Sequence, residues 1–259
     1  MKKGNDSIVL LTGASGKLGS KILSSGSFQS IMAPSHTEFE VTNPDQLNEY
    51  LNDYKPKSII HCAALARMKA CQEDPARAIQ INIIGTSNLI MALLNYEKTI
   101  QKNLRFTYIS TDAVYASKTG NYPENGPTIP CSFYGWSKLG AECAVKLLQN
   151  HCIIRTRFFD KTSIPFDSSA TDIFTSSMEL ESLVKAISQI HHSDFVGTIN
   201  IGSEQQSDYL RYRQHKPHIS PCLRKDIQQE LNFTIAANPS MNCSLWKNLQ
   251  LKLSDFIGL

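Results

Sequence analysis

The stretch Ile8–Gly19 (IVLLTGASGKLG) decides the fold. It begins with aliphatic and β-branched residues, which are typical of a short buried strand. Glycines then follow with a G-x-x-G-x-x-G spacing, and Leu18, Ile22 and Leu23 fit the apolar face of a helix. In a strand–turn–helix unit of this kind, a pyrophosphate can approach the free N–H groups of the helix N-terminus without meeting a Cβ atom. The stretch predicts a nucleotide-binding unit, although a purely structural tight turn would use the same glycines.

The composition is that of an ordinary globular protein. The chain has 259 residues, with 41% hydrophobic and 19% charged residues. Its net charge of +3 is small and evenly spread, which argues against a nucleic-acid partner. No stretch approaches the roughly 20 apolar residues that a membrane span requires. The 7 cysteines include no Cys-x-x-Cys pair, so we expect reduced thiols and a cytoplasmic protein.

Strands alternate with helical segments along the chain, which indicates an α/β fold with a doubly wound parallel sheet. Asn43 and Pro44 begin one helix, and a second, apolar over much of its circumference, begins at Pro75. A further helix is predicted within 178–190. The predicted strands lie near residues 30–34, 39–42, 57–62, 104–109, 152–156 and 197–202.

The end of the second strand bears on the choice of cofactor. A site for NAD would be expected to carry an acidic residue there, to bind the ribose hydroxyls. Residues 35–37 (Ser-His-Thr) are not acidic, and Glu38 falls later. Lys17 and His36 could instead accept a 2′-phosphate, or both could be solvated loop residues. This pattern favours NADPH over NADH.

Tyr134 and Lys138 lie four residues apart in a predicted helix and so share one face. The phenol has an ordinary pKa near ~10. A nearby ammonium would lower that pKa and make the tyrosine a useful proton donor or acceptor. The spacing alone is weak evidence, because such pairs occur by chance in many helices.

Two further polar residues stand out. Thr111 follows the predicted strand at 104–109, and ligands bind at the carboxyl ends of parallel strands in open α/β sheets. Asn82 is polar within an apolar helix, where a hydrogen bond that holds the fold together is the favoured interpretation over a catalytic role.

These motifs occur in one order along the chain, at residues 12–19, 61–64, 82–86, 110–115 and 134–138. As an ordered set they resemble the extended short-chain dehydrogenase/reductase family. The segment Ser110–Tyr115 (STDAVY) is similar to the branch of dTDP-4-dehydrorhamnose reductases and other sugar-nucleotide enzymes. The resemblance extends over roughly residues 7–160.

The resemblance implies an NAD(P)-binding Rossmann domain over residues 1–157. A smaller α/β substrate-binding region would follow at 158–259 and contribute elements back to the first. It also implies that the catalytic residues are Thr111, Tyr134 and Lys138. The implied cofactor-binding residues are Gly13, Ser15, Gly16, Lys17, Leu18, Gly19, Ala63, Ala64, Asn82, Tyr134 and Lys138. Substrate binding is assigned to Asp112, Arg157, Arg211 and Arg224, although a solvated basic helix would equally contain the last two.

The implied activity is the NAD(P)H-dependent reduction of a keto group on a nucleotide-activated sugar. Tyr134 would be the proton donor, with Lys138 and Thr111 assisting. An epimerase of the same fold and a non-catalytic cofactor-binding regulatory subunit remain alternatives. A dehydratase is disfavoured, because Asp112 has no adjacent Glu. We further expect a homodimer and no metal site, since no acidic or Cys/His cluster has ligand spacing.

Overall fold

The computed structural model describes residues 8–257, with side chains for 8–253. Residues 1–7 and 258–259, at the ends of the two predicted regions, lie outside the described part. The strands are β1 (Ile8–Thr12), β2 (Ser30–Met32), β3 (Ser58–His61), β4 (Arg105–Ile109), β5 (His151–Thr156), β6 (Phe158–Phe159), β7 (Ser168–Ala170), β8 (Phe174–Thr175), β9 (Met178–Glu179), β10 (Gly197–Ile201), β11 (Gln206–Ser207) and β12 (Ser220–Cys222).

The helices alternate with these strands through the first part of the chain. They are α1 (Lys17–Ser24), α2 (Pro44–Tyr54), α3 (Met68–Glu73), α4 (Pro75–Ala78), α5 (Thr86–Ile100), α6 (Phe133–Val145), α7 (Leu180–His191), α8 (Asp208–Arg213), α9 (Arg224–Gln228) and α10 (Ser244–Ile257). A π-helical turn, Ile79–Gly85, joins α4 to α5, and Asp112–Val114 forms a 3-10 turn.

The central sheet has the strand order β2-β1-β3-β4-β5-β10, and every neighbouring pair is parallel. The chain leaves β1 toward one side of the sheet and returns to β3 on the other side of β1. The order therefore reverses between β1 and β3. In open α/β sheets, ligands bind in the crevice at such a reversal, outside the carboxyl ends of the strands. The predicted doubly wound sheet is confirmed.

Both faces of the sheet are covered, because successive side chains of a strand point to opposite faces. On one face, Leu10 of β1 packs into a core with the buried residues of α2, α5 and α6. On the other, Val9 and Leu11 pack with those of α1 and α7 and with Trp246 of α10. Residues after position 157 thus belong to the main core as well as to the smaller region.

One predicted strand is wrong. Residues 39–42 form turns, although Phe39 and Val41 are buried as an alternating strand pattern requires. The backbone of Thr42 donates to the Glu40 carboxylate, so this segment makes local hydrogen bonds in place of a strand ladder. The helix predicted to follow is confirmed, and the Asn43 side chain caps α2 by accepting from the Gln46 N–H.

The helical stretch Pro75–Ile100 contradicts the expectation that no stretch is apolar enough for a membrane span. It is 26 residues long and contains an 18-residue window with a mean hydropathy of 1.3, which is sufficient in length and composition for a membrane span. Half of that apolar stretch is buried inside the fold. Leu89, Ile90 and Leu93 of α5 pack against the sheet. Burial in the core therefore accounts for the apolar composition of this helix.

The C-terminal region consists of short strand pairs and helices. β6 pairs with β9 and β12 with β7, both in parallel, whereas β11 pairs with β8 antiparallel. Between these pairs, α7 and β10 return to the central sheet. The cysteines, all within the described residues, are unpaired.

Candidate functional site

A cleft of about 1360 Å³ opens at the carboxyl ends of β1, β3, β4 and β5. It begins at the reversal of strand order and continues past α6. The predicted residues that line it are Gly13, Ser15, Gly16, Lys17, Leu18, Gly19, Ala63, Ala64, Thr111, Asp112, Tyr134, Lys138 and Arg157. Residues far apart in the chain thus meet in one cavity.

The glycine turn brings the backbone of β1 against that of β3. Gly13 has φ +71°, and a Cβ atom there would lie 2.5 Å from the Ala63 nitrogen. A Cβ atom on Gly19 would lie 2.2 Å from the Gly13 carbonyl oxygen. The N-cap residue of α1, Gly16, has no side chain to occupy the first N–H groups of the helix. This backbone cradle and the positive end of the helix dipole fit the pyrophosphate of a dinucleotide.

A buried histidine joins the ends of β1 and β3 below this cradle. His61 Nδ1 lies 2.6 Å from Thr12 Oγ1, and its Nε2 lies 3.0 Å from Thr86 Oγ1. Thr12 Oγ1 also accepts a hydrogen bond from the Ala63 N–H. Burial lowers the pKa of His61 to about 3, so the ring is neutral at pH 7. The floor of the cleft is therefore held by neutral hydrogen bonds.

The end of β2 does carry an acidic group, contrary to the sequence-based expectation. Glu38 folds back onto Ser35, whose N–H and hydroxyl donate to Glu38 Oε2 at 2.8 and 2.7 Å. These hydrogen bonds lower the pKa of Glu38. The carboxylate lines the cleft together with His36 and Lys17. The Ser-x-x-Glu spacing is the sequence signal that would have revealed it, because a turn brings those side chains together.

Thr111 and Tyr134 meet at the other end of the cleft. Thr111 follows β4 and caps the 3-10 turn by accepting from the Ala113 N–H at 3.2 Å. Tyr134 lies in the first turn of α6, whose N-cap, Ser132, accepts from the Gly135 N–H. Burial raises the pKa of Tyr134 to about 12, while the neighbouring Thr111 hydroxyl opposes that rise. The phenol is therefore protonated at neutral pH.

Lys138 does not have the predicted effect on Tyr134. Its side chain is 2% exposed, and Nζ lies 4.0 Å from the centroid of the Tyr108 ring. Burial lowers the pKa of Lys138 to about 7, while nearby Cys62 and Glu142 act to raise it. Burial of the phenol raises the pKa of Tyr134, which is the opposite of the expected lowering.

Asp112 and Arg157 form an ion pair beside Tyr134. Arg157 Nε donates to Asp112 Oδ2 at 2.7 Å, and the side chains are 28% and 1% exposed, respectively. Burial raises the pKa of Asp112, although Arg157 opposes the shift. Burial also disfavours the charge of Arg157, but Asp112 and Asp208 more than offset this and raise the pKa of the guanidinium. The partly exposed Arg157 side chain offers a cationic hydrogen-bond donor to the cleft.

The other predicted site residues lie outside the cleft wall. Asn82 is 1% exposed and is hydrogen-bonded to Leu65 and Ser137, so it holds elements of the fold together. Arg211 is buried and donates to Ser203 and to the carbonyls of Thr175 and Glu204. These bonds engage its guanidinium within the fold, which corrects its assignment to substrate binding.

Arg224 does not line the cleft either. Its backbone N–H donates to Asp172, and its guanidinium lies 3.4 Å from the carbonyl of Ile235. Both contacts lie within the C-terminal region. Among the described residues, no group of three or more His, Cys, Asp or Glu could hold a metal ion.

Comparison with known proteins identifies the family of the chain. Residues 7–168 match the model of the RmlD substrate-binding domain family. The chain belongs to this family. The dTDP-4-dehydrorhamnose reductase of Aggregatibacter actinomycetemcomitans is 29% identical over 153 residues, which cover 57% of this chain and 50% of that protein. The β subunit of methionine adenosyltransferase 2 from Pongo abelii is 26% identical over 146 residues, or 53% of this chain and 42% of that protein.

The fold of this RmlD family member matches solved structures over almost its whole length. The dTDP-4-dehydrorhamnose reductase of Bacillus anthracis, solved in complex with NADP, superimposes with a TM-score of 0.82. The match covers 98% of this chain and 100% of that one, at 21% identity. By sequence, in contrast, the chain spans about half the length of the curated relatives it matches. The match to the family model, over residues 7–168, contains the glycine turn and α6.

Proposed function

We propose that the protein is an NAD(P)H-dependent reductase that acts on a keto group of a nucleotide-activated sugar. The observation that carries this proposal is the continuity of the cleft, which joins the glycine cradle to Thr111, Tyr134 and Lys138. Relatives named dTDP-4-dehydrorhamnose reductase, in the same family, support a dTDP-linked keto-sugar as the substrate. A cytoplasmic location stays part of this proposal.

The cradle residues would hold the cofactor. Gly13, Gly16 and Gly19 leave room for a pyrophosphate against the start of α1. Ala63 and Ala64, which follow β3, line the adjoining wall with small side chains. The bound nicotinamide would supply the hydride. Lys138, at the far end of the cleft, would bind the nicotinamide ribose.

Tyr134 would donate the proton to the ketone oxygen. With its pKa raised to about 12, the phenol is protonated at pH 7 and so carries the proton to be donated. The hydroxyl of Thr111 would hydrogen-bond the same oxygen and so orient the carbonyl. The Lys138 ammonium would stabilise the negative charge that develops on the phenol oxygen as the proton leaves.

The ion pair at the cleft wall would bind the substrate. Arg157 offers a guanidinium beside Tyr134, and Asp112 holds it in place. A guanidinium is suited to phosphate and hydroxyl oxygens of a nucleotide sugar, because it presents several donors in one plane. The region from 158 onward would complete the substrate side, since Phe158 also lines the cleft.

NADPH is the proposed form of the cofactor, on the grounds that His36, which follows β2, and Lys17, which begins α1, both line the cleft. The NADP complex of the Bacillus anthracis protein supports this choice. The Glu38 carboxylate disfavours NADPH, because a negative charge there would repel a 2′-phosphate. Self-association as a homodimer also stays a prediction, which light scattering on the purified protein tests.

The decisive experiment compares Tyr134→Phe with a control, Tyr96→Phe, in which a buried core tyrosine loses the same hydroxyl. With a dTDP-4-keto-6-deoxy sugar and NADPH, Tyr134→Phe is expected to lower kcat/KM about 10²–10⁴-fold and to leave NADPH binding unchanged. Tyr96→Phe should retain activity. Equal rates in wild type and Tyr134→Phe would remove the tyrosine from the mechanism.

Turnover by the wild type separates the reductase from a regulatory subunit. A relative named as the β subunit of methionine adenosyltransferase 2 is the observation that favours the second candidate. NADPH binding by the wild type without turnover of any keto-sugar in the panel would support the subunit. Binding of neither NADPH nor NADH would overturn both.

A further inference from the structure

A fully buried ion pair lies behind the cleft, apart from the Asp112–Arg157 pair. Arg155 of β5 donates to both carboxylate oxygens of Glu142 on α6, from Nε at 3.0 Å and from Nη2 at 2.7 Å. The two side chains are 3% and 0% exposed. Such a bidentate pair is geometrically specific, and removing one partner leaves a buried charge without compensation.

The Glu142 carboxylate also holds the strand that leads to Thr111. Ser110 Oγ donates to Glu142 Oε1 at 2.6 Å, and Ser110 directly precedes Thr111. The backbone N–H of Ser110 donates to the Ile154 carbonyl on β5 at 2.7 Å. One carboxylate therefore connects the end of β4 to α6, the helix that carries Tyr134 and Lys138.

The remaining donors of Arg155 are engaged as well. Nη1 donates to the Tyr115 hydroxyl at 3.0 Å and to the Glu124 carbonyl at 2.9 Å. Tyr115 donates onward to Asn200 Oδ1, on β10, at 2.7 Å. Because each contact restricts the guanidinium, Arg155 and Ser110 together fix the orientation of the Glu142 carboxylate.

Glu142 and Lys138 are four residues apart on α6, and both are buried. They therefore share one face of the helix. The other described groups that face the ammonium come from three elements around it and are His61, Cys62, Cys71 and Tyr108.

These other groups are neutral at pH 7. Burial raises the pKa of Cys62 to about 12 and that of Cys71 to about 11. Burial lowers the pKa of His61 to about 3 and raises that of Tyr108. Within the described surroundings of Lys138, the Glu142 carboxylate is therefore the anionic group.

We infer that Glu142 is a positioning residue, which fixes Thr111 relative to Tyr134 through Ser110 and supplies the buried counter-charge of Lys138. The part that concerns Thr111 and Tyr134 rests on the proposed reductase function. Ser110 and Arg155 are the hydrogen-bond donors that orient the carboxylate for both tasks.

The counter-charge is tested without cofactor or substrate. The protein is labelled with [ε-¹³C]lysine, and Lys138→Arg identifies the Lys138 signal. Glu142→Gln is expected to lower the titration midpoint of that signal by about half a pH unit or more, because removing a nearby anion disfavours the ammonium. The same midpoint in wild type and variant would overturn this part.

Two further variants keep the titration decisive. Because Glu142→Gln leaves Arg155 buried and unpaired, the double variant Glu142→Gln/Arg155→Met removes that penalty. It also removes a cation, so the midpoint should still fall, but by less than in the single variant. Arg105→Gln is the matched control. Arg105 is also buried, but it donates to the carbonyls of Ile190 and Phe195 near the opposite end of β4. Arg105→Gln should leave the titration midpoint of Lys138 unchanged.

The positioning of Thr111 is tested with Ser110→Ala, which keeps every charge. With NADPH and the keto-sugar, kcat is expected to fall about tenfold or more, while the Kd for NADPH stays as in wild type. An unchanged kcat would overturn the positioning role. If the wild type turns over no keto-sugar, the proposed function fails, and the lysine titration alone then decides the inference.

Discussion

Asn82 donates a hydrogen bond of 2.8 Å to the hydroxyl oxygen of Ser137, which lies between Tyr134 and Lys138 on α6. The same amide accepts from the Leu65 N–H at 2.7 Å and donates to the Leu65 carbonyl at 3.1 Å. Leu65 follows the alanines at the end of β3. A single side chain from the π-helical turn thus connects the helix that carries Tyr134 to the loop that lines the cleft.

Replacing Asn82 by Ala is therefore expected to affect both stability and binding. The Leu65 N–H would lose its acceptor inside the protein, and the Ser137 hydroxyl would keep only its bond to the Tyr134 carbonyl. This costs about 1–3 kcal/mol of unfolding free energy. The NADPH affinity should fall as well, because the loop after β3 loosens. Urea denaturation and a fluorescence titration measure these effects.

Asn88→Ala provides the control for this prediction. Asn88 is also buried, but it makes one hydrogen bond of 3.2 Å, to the Val41 carbonyl. Asn88→Ala should lower the unfolding free energy by about 1–2 kcal/mol and leave NADPH binding unchanged. If the two alanine variants bind NADPH equally well, the connecting role of Asn82 is wrong.

Gly13→Ala is expected to damage the cradle. Gly13 has φ +71°, and its Cβ atom would meet the Ala63 nitrogen at 2.5 Å. The left-handed conformation alone costs about 1–2 kcal/mol, and the backbone contact adds to that. We expect NADPH binding to fall at least about tenfold, since strand ends that move apart no longer frame the pyrophosphate.

Gly26→Ala isolates the cost of the left-handed backbone conformation. Gly26 has nearly the same φ, +68°, but no atom lies within 4 Å of the added Cβ position. It should cost only about 1–2 kcal/mol in a urea titration and should bind NADPH as tightly as the wild type. Matching losses in both glycine variants would mean that the close approach to Ala63 is unimportant.

The charge at the end of β2 is expected to tune the cofactor preference. Glu38→Gln keeps the shape of the side chain and removes its negative charge, so NADPH should bind about 3–10-fold more tightly while NADH changes little. Lys17→Ala should have the opposite effect on NADPH. Titrations with each cofactor measure both. An unchanged NADPH-to-NADH ratio in the two variants would place the 2′-phosphate elsewhere.

Acid is expected to destabilise the protein through its buried histidines. Burial lowers the pKa of His61 and of His191 to about 3 each, against an ordinary value near ~6.5 in the unfolded chain. The unfolded state therefore binds more protons between these values. Each histidine contributes stability that is complete above pH ~6.5 and is lost at up to about 1.4 kcal/mol per pH unit as the pH falls toward 3.

His191→Asn isolates one of these contributions. His191 lies 2.8 Å from Thr107 Oγ1 and 2.9 Å from Ser58 Oγ, so the variant is less stable at pH 7. Its unfolding free energy, measured by urea titration at several pH values, should nevertheless decline less steeply below pH ~6.5 than that of the wild type. The exposed His218→Asn should follow the wild-type slope. Parallel slopes for His191→Asn would contradict the prediction.

Much of the fold could be predicted from short-range patterns. The glycine turn, the capped start of α2 and the strand at 104–109 are local features, and the structure has them at the expected places. The strand predicted at 39–42 fails because Phe39 and Val41 are buried beneath α2 and α5 without a neighbouring strand. Alternating burial alone does not distinguish this arrangement from a sheet.

The site was harder to predict where contacts between residues distant in sequence determine the partners and the burial of a side chain. Nothing near Arg211 in the sequence shows that Ser203 and the Thr175 carbonyl will surround its guanidinium. The pKa of Tyr134 depends on how deeply the phenol is buried, which helical spacing does not reveal. Glu142 was overlooked, because its partners Ser110 and Arg155 are distant in sequence.

The last strand of the central sheet has a consequence for biosynthesis. β10 completes the edge beside β5, yet about forty residues separate the two strands along the chain. During translation, the apolar edge of β5 remains open until residue 201 has left the ribosome. An open edge of this kind can pair with another chain. The edge of β5 is thus unpaired after β1 to β5 have been synthesised and until β10 pairs with it, and a chaperone that shields this edge would act in that interval.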